Sequence, residues 1–176
     1  MPARGTLFLI VGPSGAGKDT LIALAREKLG PGYVFPRRAI TRPAGAGGED
    51  HIAEDEASFE ARERAGDFAL SWRAHGLAYG IASSIAADLA RGTHVVINVS
   101  RAVVDAARAT FQPVRVILVT APKDVLRARL RARGREDDAS IEERLGRGQD
   151  VTADAVVVND TTPQAGAAAL IAALKG

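Results

Sequence analysis

The sequence predicts an α/β protein built on a mainly parallel sheet, and two patterns carry that prediction. Short apolar runs rich in β-branched residues recur at positions 6–11, 94–99, 114–120 and 155–158, and segments of helical period fall between or after them, at 18–29, 84–91, 102–110, 123–133, 141–147 and 164–174. Unbroken apolar strands belong in a sheet covered on both faces, and strand–helix alternation is the mark of parallel crossovers. Several helix ends are also readable. Pro122 and Pro163 stand at or just before helix starts, where a missing N–H costs nothing, and Gly30, Gly92 and Gly134 lie just past helix ends. Ser140 and Glu143 have capping-box spacing, so a helix is expected to begin near Ile141.

The 176 residues fit one domain, with a core over 1–32, 92–126 and 149–176. Between 33 and 91 the pattern is mixed: short extended pieces, a turn-rich loop at 43–48 and a helix near 57–65. Such an insertion is expected to carry substrate contacts. Over 127–148 a charged flap is expected, because arginine occupies every second position from Arg127 to Arg135 and the acidic Glu136, Asp137 and Asp138 follow. At helical spacing some of these arginines face solvent and pair with those acids.

Hydrophobic residues at 47% and charged residues at 25% argue against disorder. A net charge of +2 with 5% aromatics argues against a nucleic-acid binder. The basic residues are mostly arginine, which suits phosphate ligands, or else reflects a genome bias shared with Ala and Gly. Without cysteine, disulfides and thiolate metal sites are excluded and a reducing cytoplasm is the expected setting. The first apolar run, over 7–11, is too short for a signal peptide or a membrane span, so no membrane partner is expected. No motif sets an oligomeric state.

Gly12-Pro13-Ser14-Gly15-Ala16-Gly17-Lys18 follows the first predicted strand and opens the first predicted helix. Small residues let backbone N–H groups converge on phosphate oxygens, the helix N-terminus adds partial positive charge, and Lys18 reaches the terminal phosphates of a nucleoside triphosphate. The next residue is Asp19, followed by Thr20, where a Ser or Thr usually touches magnesium. Asp19 either holds magnesium, directly or through water, or is a first-turn acid favoured by the helix dipole.

Together with the loop, Thr41-Arg42-Pro43, Gly48-Glu49, His75-Gly76-Leu77-Ala78-Tyr79-Gly80, Arg129-Leu130 with Arg133, and Val158-Asn159-Asp160 resemble the guanylate kinase group over nearly the whole chain. The resemblance implies a P-loop NTPase fold, with a parallel five-stranded sheet flanked by helices, an acceptor-binding insertion and an arginine lid. It also implies that Arg42 and Tyr79 hold the acceptor phosphate, that Arg129 and Arg133 close over the donor, and that Asn159 lies near the donor base. The positions that read guanine in that group hold Arg38, Leu70 and Ile81 here, and a phosphate-contacting tyrosine becomes His51. A pocket stripped of its base-reading groups no longer selects the base, and a gained arginine suits more phosphate.

That combination is similar to the ribose 1,5-bisphosphate phosphokinase family of phosphonate breakdown, in which Gly17-Lys18-Asp19-Thr20, Arg38-Ala39-Ile40-Thr41-Arg42-Pro43 and Asn98-Val99-Ser100-Arg101 have counterparts. The similarity implies transfer of the ATP γ-phosphoryl group to a sugar phosphate, with Mg2+. Lys18, Arg129 and Arg133 are then the catalytic candidates, and Arg38, Arg42, His51, Tyr79 and Arg101 the acceptor contacts. Arg101, expected just past a strand's carboxyl end, is either a second-phosphate ligand or a helix-start arginine. His75 and His94 are read as structural, and Trp72 as core. The competing readings are a nucleoside monophosphate kinase and a non-catalytic guanylate-kinase-like domain that binds proteins.

Overall fold

The computed structural model describes residues 3–47, 49–134, 139 and 151–176. The expected helix at 141–147, its capping box, the acidic run at 136–138, Gly48 and most of the flap lie outside these described residues. The elements run β1 (Leu7–Val11), α1 (Lys18–Lys28), β2 (Tyr33–Val34), β3 (Ala39–Ile40), β4 (Ile52–Ala53), α2 (Glu56–Arg64), β5 (Phe68–Ala74), β6 (Leu77–Ala82) and α3 (Ile85–Ala90). They continue with β7 (His94–Asn98), a 3-10 turn at Arg101–Val103, α4 (Val104–Thr110), β8 (Val114–Thr120), α5 (Lys123–Arg133), β9 (Ala155–Val158) and a final helix, α6 (Pro163–Lys175).

The main sheet has five strands in the order β2-β7-β1-β8-β9, all parallel. Alternate residues of the central β1 feed two cores. Leu7, Leu9 and Val11 pack with Val95, Ile97, Leu89 of α3 and Val104 of α4. Phe8 and Ile10 pack on the other face with Leu21 of α1, Leu126 and Leu130 of α5 and Leu170 of α6. Burial on both faces is why the strand reads as an unbroken apolar run.

The fifth strand of this sheet comes from the start of the segment read as an insertion. The Gly30-Pro31-Gly32 turn returns the chain so that Tyr33 pairs with His94 and Val34 with Val95. His94 is structural: its Nδ1 accepts a hydrogen bond from the Thr6 N–H at 2.9 Å, and its ring lies 4.9 Å from that of Tyr33. The helix expected over 102–110 begins as a 3-10 turn, because Ser100 caps Ala102 N–H at 3.2 Å and tightens the first turn. A second sheet, ordered β4-β3-β6-β5, is antiparallel except for β3 and β4. Its Ile40, Leu70, Trp72, Tyr79 and Ile81 join the core of the first face, which fixes it over the carboxyl ends of β1 and β7.

Candidate active site

The loop after β1, the Asn98–Arg101 turn after β7 and the inner face of the second sheet enclose one cleft of about 750 Å³. Gly12, Pro13, Ser14, Gly15, Gly17, Lys18, Asp19 and Thr20 line one end, and Arg38, Arg42, Glu49, Trp72 and Tyr79 the other. Arg101 and Arg133 also reach it. Ligands of open α/β sheets gather at this end of the strands.

Lys18 is held inside the loop, its Nζ donating to Gly12 O at 2.5 Å and Pro13 O at 3.2 Å. Burial lowers its pKa from 10.5 to about 8; Asp19 opposes the fall, and the charges of Arg38 and Arg133 add to it. The neighbouring Asp19 accepts a hydrogen bond from Asn98 Nδ2 at 2.8 Å, which joins the first turn of α1 to the end of β7.

Asn159 and Arg129 face the loop's backbone, not the cleft. The Asn159 amide donates to Ala16 O at 2.7 Å and fits between Gly17 and Gly166. A Cβ on Gly17 would stand 2.6 Å from its Nδ2, and one on Gly166 2.5 Å from its Oδ1. Gly17 also has a φ of 87°, so glycine is needed there for both backbone and space. Arg129 donates to Gly15 O at 3.1 Å, Ala16 O at 3.4 Å and Asn159 O at 2.6 Å. In place of the expected donor-side contacts, the Asn159 amide and the Arg129 guanidinium are both engaged by backbone carbonyls in and beside the loop. Ala16 is buried beneath the loop, whereas Arg133 does face the cleft.

At the other end Glu49 sits between two arginines. Arg38 grips it through Nε at 3.2 Å and through Nη2, and Arg42 Nη2 donates to the same Oε1 at 3.0 Å. Arg38 also lies 5.1 Å over the Tyr79 ring, whose other neighbour is Trp72, stacked at 5.2 Å and 1°. Trp72 therefore belongs to the core and lines the cleft at once. Gly47, at φ +78°, lets the loop cross the Arg42 guanidinium; a Cβ there would meet Cζ at 2.3 Å. Arg42 Nε is buried with no partner among the described residues.

His51 is corrected as an acceptor contact. It is buried, its Nε2 lies 2.9 Å from Arg42 O and its Nδ1 3.1 Å from Glu49 O, and it does not line the cleft. Its ring sits between two backbone carbonyls of the arginine-bearing loop. His75, at φ 55° on the β5–β6 hairpin tip, does line the cleft. Glu49 is the residue that sequence reasoning quoted in a motif without giving it a role; its spacing from two arginines was the available signal.

Residues 7–155 match a family model described as an AAA domain. The chain is 52% identical to ribose 1,5-bisphosphate phosphokinase of Acidiphilium cryptum over 99% of its own length and 94% of that protein. It is 49% identical to the protein of the same name from Methylobacterium radiotolerans, over 97% and 98%. Among solved structures, guanylate kinase from Anaplasma phagocytophilum superposes with a TM-score of 0.75 at 19% identity, covering 99% of this chain and 86% of that one, a likeness of fold.

Proposed function

The chain belongs to the ribose 1,5-bisphosphate phosphokinase family, and on that premise we propose that it is a cytoplasmic kinase that phosphorylates ribose 1,5-bisphosphate with ATP. The products are 5-phosphoribosyl 1-diphosphate and ADP. The observation that carries the reading is a single cleft with a phosphate loop at one end and a paired-arginine wall at the other.

An oxygen of the 1-phosphate attacks the γ phosphorus. The new P–O bond forms as the bond to the β,γ-bridging oxygen breaks, and ADP leaves with that electron pair. The acceptor oxygen is already anionic, so no strong base is needed and catalysis rests on alignment and charge. Lys18 exchanges the carbonyls of Gly12 and Pro13 for donor phosphate oxygens. Arg133 meets the developing charge, while Arg129 and Asn159 hold the loop in shape. Arg38, Arg42 and Tyr79 take one acceptor phosphate and Arg101 the other. Arg42 Nε has no partner among the described residues, and its burial costs about 1–3 kcal/mol.

Asp19 suits magnesium: it is an exposed, hard oxygen donor beside Lys18, with only Oδ1 engaged by Asn98. No cluster of three or more metal-ligating side chains occurs among the described residues, which fits an ion that keeps water and phosphate ligands. When bound there, magnesium would neutralise charge on the β and γ phosphates. Leu70 and Ile81 are buried in the core and Arg38 is engaged by Glu49, so none of the three is available to read guanine. A coupled ADP-release assay with a panel of acceptors tests the proposal. Turnover is expected with ribose 1,5-bisphosphate, and turnover confined to GMP would overturn it.

A further inference from the structure

We propose that Glu49 is a specificity-determining residue that accepts a hydrogen bond from a ribose hydroxyl of the acceptor; this rests on the function proposed above. A carboxylate in a cleft for a doubly phosphorylated sugar is unexpected, because it repels phosphate. Its setting resolves the conflict. With Arg38 and Arg42 on one carboxylate the trio keeps a net positive charge, and the three side chains are only 12%, 17% and 16% exposed for Arg38, Arg42 and Glu49. Phosphate is still attracted, and the carboxylate is held in one orientation by two partners.

Acceptor counting supplies the next step. An ionised carboxylate offers about four lone-pair positions, and guanidinium N–H groups fill three of them on Glu49: Arg38 Nε on Oε2, and Arg38 Nη2 and Arg42 Nη2 on Oε1. Among the described residues nothing fills the second position on Oε2, which stays open to a further donor. Arginine and lysine donate only, so the cationic walls of the cleft can bond the oxygen of a sugar hydroxyl but cannot accept its proton. Among the described residues lining the cleft two are acidic, Asp19 and Glu49. Asp19 stands beside Lys18 at the triphosphate end and is engaged by Asn98, whereas Glu49 stands between the acceptor arginines. A sugar whose phosphate rests on Arg38 and Arg42 brings its hydroxyls to Glu49.

A role limited to aligning the arginines would weaken every acceptor alike. A hydroxyl contact makes the loss depend on the hydroxyl, because a site built to bond an O–H rejects the analogue that lacks it. The experiment compares kcat/KM for ribose 1,5-bisphosphate and its 2-deoxy and 3-deoxy analogues in the wild type, Glu49→Gln and Glu49→Ala. The wild type should disfavour one analogue by roughly 10- to 100-fold, the loss of one charge-assisted hydrogen bond. In Glu49→Gln the NH2 can still donate to the hydroxyl oxygen, so the preference should weaken as the charge assistance is lost, and in Glu49→Ala, which has neither acceptor nor donor, it should fall to within about threefold. Equal use of all three sugars by the wild type, or an undiminished preference in both variants, would overturn the proposal. Where a variant is too slow to assay, calorimetric titration with the same sugars reads the same ratio. A wild type that turns over GMP but not the parent bisphosphate would instead overturn the function on which this rests.

Discussion

Replacing Lys18 by Met should destroy activity and yet stabilise the ligand-free protein. The loop holds an ammonium group whose pKa burial lowers from 10.5 to about 8. That fall corresponds to roughly 3 kcal/mol of preference for the neutral form in the folded state. Between these two values the unfolded chain binds the proton that the folded chain has lost, so stability from this group rises with pH across the window. Below about pH 8 the full penalty is present, and above about 10.5 it is gone. Methionine removes the penalty along with the hydrogen bonds to Gly12 O and Pro13 O. At pH 7 Lys18→Met should therefore gain about 2 kcal/mol, or a Tm higher by roughly 4–8 °C for a chain of this size. The advantage should shrink toward zero by pH 10.5 in paired urea melts. A variant less stable at pH 7, or a difference that does not change with pH, would refute the reasoning. The same account expects ATP to draw the proton back, with uptake of about half a proton per ATP bound at pH 8, measured by calorimetry in buffers of different ionisation enthalpy.

Gly47→Ala should displace the Arg42 guanidinium, raising KM for the acceptor about tenfold while ATP affinity measured by calorimetry stays unchanged. Asn159→Ala leaves Ala16 O with only the long 3.4 Å contact from Arg129, so it should cost about 1–3 kcal/mol in urea melts and weaken ATP binding. Asp19→Ser should raise the magnesium concentration for half-maximal activity sharply, and Asn98→Asp, whose side chain reaches the same spot, should partly restore it. Unchanged magnesium titrations, checked by direct binding of magnesium–ATP, would sink that assignment.

What the sequence made legible follows from how local each feature is. The helix over 123–133 and the observed Lys123–Arg133 coincide because Pro122 and Gly134 mark both ends. The phosphate loop was legible because strand, glycines, lysine and helix start lie within a dozen residues. Strands β2, β3 and β4 have two residues each, too few for a period, and pairing defines them: β2 with β7, and β3 with β4 and β6. The direction a side chain faces is likewise a tertiary fact. Arg129 and Asn159 have residue types that suit phosphate or base, but backbone carbonyls brought near by distant elements engage their donors, and His51 faces the carbonyls of Arg42 and Glu49 in its own loop. Leu70 and Ile81 were singled out by the resemblance to the guanylate kinase group, and both are buried in the core.

The central claim is the site of phosphoryl transfer, and phosphorus NMR of the protein with ATP, magnesium and ribose 1,5-bisphosphate tests it most directly. The account expects the 1-phosphate signal to be replaced by the coupled pair of a diphosphate while the 5-phosphate signal persists and ADP accumulates. Both sugar phosphate signals unchanged beside a growing inorganic phosphate signal, or a diphosphate formed on GMP in a parallel sample, would contradict it.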